Sequence, residues 1–276
     1  MNGRTRVYAS PFLLHIITGG MTMNTNQEKV WLVPMPSSEQ VIKEKQVDYS
    51  VLGALMLESK RDGKLQDPFT RYIYLNRLVG DNLKEFCDSY NLTETKAKAK
   101  IRELKKAAPK LLRVFKVPSK SGRQEVVYKI HYADIKNVYF VRVPSNVLKD
   151  LVTSYKSNVV KLFCILLYLL RDSKSGRYVT RFIPLSHLGQ LLQCNKDTAG
   201  RYVKALEKAG FICVFRKWEV DTSNDNGNTI SKNYYSISPE IADLIWTLSN
   251  TRTNNEPVIS DELMFSEEHS VAAKYI

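Results

Sequence analysis

The sequence predicts an α+β fold in which one order of helices and strands occurs twice. WLVPMPSSEQV at 31–41 resembles YFVRVPSNVLK at 139–149, at an offset of 108 residues. TRYIYL at 70–75 resembles TRFIPL at 180–185, at an offset of 110. Two pairs of amphipathic helices, each followed by a β-rich hairpin, also align at an offset of 102, so the first copy has about eight extra residues before its helices. Internal repeats of this kind indicate two copies of one structural unit.

The clearest part of this unit is the stretch LSHLGQLLQCNKDTAGRYVKALEKAGFICVFRK at 185–217. Leucines recur at three- and four-residue steps and so share one face of a short helix. Asn195 is a good N-cap for a second helix, Gly210 is a typical helix stop, and FICVFRK has strand composition. Helix, turn, helix and hairpin is the order of the winged helix-turn-helix, a DNA-binding module. The alternative is a helical pair and a hairpin without a nucleic-acid partner.

The remaining segments complete two such units. In the first we expect, in order, strand 30–33, a helix from 38, helix 49–59, a turn at 60–67, strand 69–78, helix 83–90, helix 93–108 and a hairpin of strands 111–117 and 125–131. In the second we expect strand 137–143, a helix from 146, helix 157–171, a turn at 172–177, strand 178–184, the 185–217 stretch, a loop at 221–228, strand 229–237 and helix 239–248. The sequence therefore predicts two tandem winged helix-turn-helix domains, at 30–132 and 137–248. A disordered leader (1–29) and an acidic flexible tail (249–276) flank them.

The charge of the chain favours a polyanionic partner. Its 276 residues include 41 Lys and Arg against 28 Asp and Glu, a formal net charge of +13. From residue 249 onward two basic residues face five acidic ones, so the basic excess belongs to the predicted folded part. Nucleic acid is the commonest partner of such a surface, and a solvated basic surface without a partner is the alternative.

Several other classes of protein are not expected. The four cysteines and four histidines are scattered, which argues against a zinc site and a disulfide framework and favours buried free thiols in a reducing cytoplasm. The apolar runs FLLHII and LFCILLYLL are too short for a membrane helix, and a secretory signal is not expected. The sequence has no Walker loop, GxSxG, HExxH or GxGxxG pattern. We therefore expect no enzyme, no cofactor and no association with a membrane.

The predicted recognition helix of the second domain carries the best candidates for base contacts. Its outward residues are predicted to be Lys196, Thr198, Arg201, Tyr202 and Lys204. Arg201 has a planar fork that matches two acceptors on guanine, whereas the lysines suit phosphates. Gly200 beside it would either let the backbone approach DNA or pack against a helix. On the hairpin stems, Arg216, Lys217 and Lys232 are candidates for phosphate contacts.

The equivalent helix of the first domain is dominated by lysine. Its candidate DNA-binding residues are Lys96, Lys98, Lys100 and Arg102, and those of its hairpin loop are Lys120 and Arg123. Lysine acts as a point charge, so we expect this helix to hold phosphates with less sequence selection. The alternative is a solvated lysine-rich face. The second loop carries Asp221 and Asp225, which argues against intimate DNA contact there.

Tandem winged helices over residues 30–248, with a basic surface, resemble the plasmid replication initiator proteins. The 185–217 stretch and the long apolar helix before it also resemble the N-terminal domains of phage replisome organisers. The resemblance implies binding to repeated origin sites in double-stranded DNA and recruitment of a host helicase or helicase loader. Symmetric or repeated sites would also suit a homodimer. LMFSEEH in the tail would be a docking peptide for such a partner or part of a disordered terminus. Two other functions remain open: a transcriptional regulator at an operator, and an adaptor that binds DNA without sequence preference.

Overall fold

A computed structural model describes residues 30–34, 47–59, 70–74, 78–107, 111–118, 124–131, 140–220 and 229–250. The predicted leader, the helix from 38, the turn at 60–67 and nearly all of the acidic tail lie outside these residues. So do both hairpin loops, with Lys120, Arg123, Asp221 and Asp225. No helix in the described ranges is long and apolar enough to cross a membrane.

The first half of the chain has the element order that its sequence predicts. It contains, in order, β1 (Val30–Pro34), α1 (Tyr49–Glu58), β2 (Thr70–Tyr74), α2 (Gly80–Ser89), α3 (Glu94–Ala107), β3 (Leu112–Pro118) and β4 (Gln124–His131). The last two strands form the predicted hairpin, and β4 lies between β2 and β3 in an antiparallel sheet. Helix α2 begins three residues earlier than predicted, so part of the extra sequence of this half lengthens the helix.

The second half repeats this order. It contains β5 (Phe140–Pro144), α4 (Ser145–Ser154), α5 (Ser157–Leu169), β6 (Arg181–Phe182), α6 (Leu185–Leu192), α7 (Lys196–Lys208), β7 (Ile212–Val220), β8 (Thr229–Ile237) and α8 (Pro239–Asn250). The sheet order β6-β8-β7 is equivalent to β2-β4-β3. The protein is therefore a mixed α+β structure, and helix–strand–helix–helix–hairpin occurs twice in it.

Strand β6 is shorter than the strand predicted over 178–184. Only Arg181 and Phe182 pair with β8. Tyr178 instead forms an isolated bridge with Arg171 across the preceding turn, and Pro184, which lacks an N–H, stands directly before α6. The turn therefore limits the strand on its N-terminal side, and Pro184 limits it on its C-terminal side.

The helix boundaries follow local capping chemistry, as the sequence predicts. Asn195 Oδ1 accepts a hydrogen bond of 2.8 Å from Thr198 N–H at the start of α7. Thr93 Oγ1 accepts one of 3.4 Å from Lys96 N–H at the start of α3. Each cap satisfies a backbone donor that the helix itself cannot. At the other end of α7, Gly210 has a φ of 76°, the left-handed conformation that stops a helix.

Strands β1 and β5 join the two halves and reveal a near-two-fold symmetry. They pair antiparallel, with Val33 opposite Val141. These residues are also equivalent in the repeat, at the offset of 108. Leu32 pairs with Arg142, and Pro34 pairs with Phe140. At the offset of 108, Leu32 is equivalent to Phe140 and Pro34 to Arg142, so exchanging the two copies turns one pair into the other. A local two-fold axis therefore passes between Val33 and Val141.

Helices α1 and α5 meet near the same axis. The N–H of Tyr49 donates a 2.8 Å hydrogen bond to Ser157 Oγ, and these residues are again 108 apart. Ser50 Oγ donates to the carbonyl oxygen of Tyr155 at 3.1 Å. The buried residues of both halves form one continuous hydrophobic core. The two halves thus share a packed junction.

Candidate nucleic-acid interface

Helix α7 separates its buried and exposed residues cleanly. Ala199, Val203 and Leu206 are buried, as the sequence predicts. Lys196, Arg201 and Lys204 are exposed on the rest of the helix surface. Burial of the apolar stripe fixes which face of α7 is presented to solvent. With Lys208, the exposed surface of α7 carries four cationic side chains, and Asp197 is its one exposed acidic side chain.

A tight turn between α6 and α7 sets the direction of the exposed face. Gln193, which follows the last residue of α6, has a left-handed φ of 53°, and Cys194 N–H donates to Gly189 O at 2.8 Å. A Cβ atom at Gly189 would lie 2.8 Å from the carbonyl oxygen of Cys194, inside van der Waals contact. Glycine at this position therefore permits the close approach of the two helices.

The guanidinium of Arg201 is already oriented by its own helix. Its Nη2 donates a 2.8 Å hydrogen bond to Thr198 Oγ1, one turn earlier. Thr198 is in turn held by the Asn195 cap. An arginine has five N–H donors, so this contact leaves others for a partner. Asn195, Thr198 and Arg201 form a chain of contacts that pre-positions a planar fork on the exposed face.

Tyr202, which the sequence predicts to face outward, and Lys100, a candidate DNA-binding residue of α3, are both half-buried. Tyr202 is half-buried against the core, and its hydroxyl lies 3.4 Å from Asn158 Nδ2 at the start of α5. Lys100, its equivalent at the offset of 102, is half-buried on α3 and interacts electrostatically with Asp48 and Lys161. The prediction that Tyr202 faces fully outward is wrong, because its ring packs against the core beside the start of α5. The side chain of Lys100 stays 32% exposed.

Gly200 is half-buried beside helix α6. A Cβ atom there would lie 3.8 Å from Leu185 Cδ1, an ordinary van der Waals contact with helix α6. Of the two roles predicted for this glycine, the contact with Leu185 supports helix packing.

We therefore expect Gly200→Ala to stabilise the protein. Alanine costs about 1 kcal/mol less than glycine inside a helix, and the site has room for the methyl group. The denaturant midpoint should rise without a change in the slope of the unfolding transition. DNA affinity should stay unchanged, and a loss of affinity would place the Gly200 backbone at the DNA.

The lysines of α3 are partly compensated by neighbouring carboxylates. Lys98 Nζ lies 3.3 Å from Glu94 Oε2, and Lys100 Nζ lies 2.8 Å from Glu103 Oε2. The hydrogen bond to Glu103 raises the pKa of Lys100. Lys96 and Arg102 are exposed. The cationic surface of α3 is therefore weaker than its lysine count indicates.

Two of the three predicted phosphate ligands on the β7–β8 hairpin lie close to Glu219, although the side chain of Lys217 is 69% exposed. Glu219 accepts hydrogen bonds from Lys232 Nζ and Tyr234 Oη, each at 2.7 Å, and Lys217 Nζ lies 3.7 Å away. The hydrogen bond from Lys232, then that from Tyr234, lowers the pKa of Glu219 to about 2. Lys232 is half-buried in this cluster, so the prediction that it reaches out to phosphate is corrected. Arg216 is exposed.

Sequence reasoning did not select Trp218, although its indole is 70% exposed. Trp218 follows Arg216 by two residues on β7, so the two share one face of the hairpin. That face continues from Ile212, which is buried in the core beside α7. Strand alternation in ICVFRKW would have identified the pair. Arg216 and Trp218 thus place a cation and an aromatic ring on the hairpin stem.

The described residues offer little for metal or thiol chemistry. They contain no group of three or more His, Cys, Asp or Glu side chains arranged to hold a metal ion. Cys87 and Cys164 are buried, as predicted, and burial raises the pKa of Cys164 to about 12. Cys194 and Cys213 are only half-buried, contrary to the prediction that every thiol is buried. Burial still raises the pKa of both thiols.

Comparison with known proteins finds no matching protein family, curated protein or solved structure. The chemistry of this interface therefore has to be read from helix α7 and the β7–β8 hairpin themselves.

Proposed function

We propose that this chain is a sequence-specific double-stranded DNA-binding protein built from two winged helix-turn-helix domains. The observation that carries the proposal is the exposed face of α7, where Lys196, Arg201 and Lys204 stand beside a tight helix–helix turn. A helix of this kind enters the major groove and places side chains on base edges. The net charge of +13 supports the same partner, because phosphate contacts dominate DNA affinity.

The two repeated helices are expected to act differently. Arg201 is held by Thr198 with its fork presented outward, which suits bidentate recognition of guanine. On α3 the exposed Lys96 and Arg102 suit phosphates, and Lys98 shares its charge with Glu94. Helix α7 would then select sequence, and α3 would add affinity with less selection.

Arg216 and Trp218 extend this interface onto the hairpin. An arginine on the hairpin stem can reach the phosphate backbone, and an exposed indole can pack against sugars or bases at the groove edge. They replace Lys232, which Glu219 holds within the hairpin.

The biological role that we propose is initiation of plasmid or phage replication, with a host helicase or its loader as a protein partner. The near-two-fold relation of the two halves supports this role, because paired reading units suit repeated or inverted sites in an origin. A homodimer would extend the same reading to a second set of sites. This role is a finer proposal than DNA binding itself.

Selection of bound duplexes from a random pool tests both the DNA-binding proposal and the proposed role in replication. DNA binding predicts one enriched sequence motif, and equal recovery of all sequences would contradict base reading by α7. The selected motif is then sought beside the gene. Iterated copies that sustain replication of a plasmid lacking another origin would support initiation. A single operator at a promoter, without replication, would favour a transcriptional regulator.

Arg201→Ala is expected to cost about 1–3 kcal/mol of binding free energy at one base pair of the selected site. The loss should disappear on a duplex altered at that base pair, because the contact no longer discriminates there. Arg201→Lys is the matched control, since it keeps the charge but not the fork. It should retain the salt dependence of binding while losing the base preference. Equal binding of the wild type and both variants to all duplexes would remove Arg201 from the interface.

A further inference from the structure

A cavity with a volume of about 450 Å³ lies on the side of the second half where α8 packs. Four parts of the chain enclose it: strand β5, the C-terminal end of α5, the turn at 171–178 and helix α8. Its volume lies within the range of about 300–1,000 Å³ that is usual for small-molecule sites. None of the residues proposed for DNA contact on α7 lines it. The cavity is therefore a separate feature of the fold.

The charge of the lining is strongly unbalanced. Four arginines line the cavity against one acidic residue, Asp243. The arginines are Arg142, Arg171, Arg177 and Arg181. Electrostatic interactions of Arg171 and Arg142 both reach Tyr178, so guanidiniums from β5 and from the turn converge on one ring. Asp172, at the start of the turn, interacts electrostatically with Arg181, and the lining still keeps an excess of cationic side chains that suits an anionic ligand.

The turn that supplies two of these arginines is pre-organised. Asp172 Oδ2 accepts hydrogen bonds from Ser175 N–H at 2.9 Å and from Ser175 Oγ at 2.6 Å. Arg171 Nε donates to Gly176 O at 3.2 Å. Gly176 has a φ of 66°, and a Cβ atom there would lie 3.2 Å from Arg171 Nη2. Glycine thus lets the turn close over this guanidinium and hold it in place.

Arg181 is fixed in a similar way from the other side of the turn. Its Nη1 donates to Leu169 O, at the end of α5, at 3.1 Å. Since a guanidinium has five N–H donors, the bond from Arg181 to Leu169 leaves donors of Arg181 for a ligand. Anchored forks lose little conformational entropy when they bind an anion bidentately, and phosphate is the anion that suits them.

Aromatic rings form the other part of the lining. The guanidinium of Arg177 lies 4.9 Å from the ring centroid of Trp246 on α8. Trp246 is 42% exposed and lines the cavity. Tyr168, Tyr178 and Phe140 add further rings. Burial raises the pKa of Tyr178 to about 12, so its hydroxyl is neutral and adds no negative charge. A planar aromatic ring of a ligand can stack against these side chains, while a phosphate group of the same ligand binds the arginines.

We propose that this cavity binds a nucleoside diphosphate, with the arginines on the phosphates and Trp246 against the base. The inference is independent of the DNA-binding proposal, because the two sites share no residues. The volume of about 450 Å³ suits one free nucleotide. Helix α8 also contacts β1 and β5, so the ligand would sit beside the strands that join the two halves.

The test is calorimetric titration of the full chain, free of DNA, with ADP, GDP, CDP, UDP and inorganic pyrophosphate. At least one nucleoside diphosphate should bind one site per chain, about 10-fold more tightly than pyrophosphate. Arg177→Gln and Trp246→Leu should each weaken that binding about 10-fold. Both side chains are exposed at the cavity rim, and thermal unfolding of each variant checks that it is folded.

Matched controls separate the cavity from the rest of the basic surface. Arg201→Gln and Trp218→Leu remove the same two kinds of side chain from the proposed DNA interface and should leave nucleotide affinity unchanged. Three outcomes would overturn the proposal. They are no binding of any nucleoside diphosphate, equal affinity for pyrophosphate, and a loss of binding in the control variants without a loss in the cavity variants.

The acidic tail is a competing occupant, because it follows Asn250 at the rim of the cavity. A full-length variant with its five tail carboxylates changed to amides tests it, at Glu256, Asp261, Glu262, Glu267 and Glu268. The nucleotide proposal predicts equal affinity in this variant and the wild type. Binding seen only in the variant would assign the cavity to the tail instead.

Discussion

Gly189→Val should destabilise the protein by about 3 kcal/mol and abolish sequence-specific DNA binding. The Cβ atom would lie 2.8 Å from Cys194 O, and the next backbone atoms, Asn195 C and Lys196 N, lie only 3.4 and 3.5 Å away. These are main-chain atoms, so no side-chain rotation relieves the clash. Helix α6 and the start of α7 have to move apart, which displaces Arg201 from the face that the turn defines.

Denaturant unfolding measures the first effect, and binding to the selected duplex measures the second. Gly189→Ala should show a smaller loss of stability, because it adds the clashing atom without the branched methyl groups. Gly200→Ala, eleven residues later, is the matched control and should act in the opposite direction. A stable Gly189→Val protein with normal DNA affinity would show that the turn does not position α7.

Gly53→Ala should cost roughly 2–3 kcal/mol of stability at the junction of the two halves. A Cβ atom on α1 would lie 2.6 Å from Val152 Cγ1 and 3.2 Å from Leu148 Cδ1 on α4. Valine is β-branched and has few alternative rotamers, so it yields poorly. The gain of about 1 kcal/mol in helix propensity offsets only part of the clash.

A double-mutant cycle isolates this contact. Val152→Ala alone leaves a cavity and should destabilise the protein. Combined with Gly53→Ala, it removes the atom that clashes and lets the new methyl group fill the space. The double variant should therefore be more stable than the sum of the single effects predicts, by about 0.5–3 kcal/mol. Additive costs would mean that α1 and α4 do not pack as closely as described.

The sequence predicts the elements of both halves well because their signals are local. Asn195, Thr93 and Gly210 act on residues within one turn of themselves, and each helix boundary near them is confirmed. The repeat supplied the order of elements before any contact was known. Strand β6 is the exception, because pairing with β8 competes there with the bridge between Arg171 and Tyr178.

The parts that the sequence could not predict depend on distant partners. Tyr202 and Lys100 lie on the flanks of amphipathic helices, where periodicity leaves their orientation open, and the starts of α5 and α1 decide it. Lys232 is held by Glu219, thirteen residues away across a hairpin whose register sets the contact. The arginines around the cavity come from different elements, so their convergence exists only in the folded chain.

The pairing of β1 with β5 has a consequence for synthesis of the chain. Trp31 and Val33 are buried, and Trp31 Nε1 donates to Ser145 Oγ at 2.8 Å. Strand β5, which pairs with β1, is synthesised more than a hundred residues after it. At a translation rate of about 5–20 residues per second, β1 lacks its strand partner for roughly 5–20 s. The nascent first half thus has an unpaired apolar strand that a chaperone can bind until residue 145 has emerged from the ribosome.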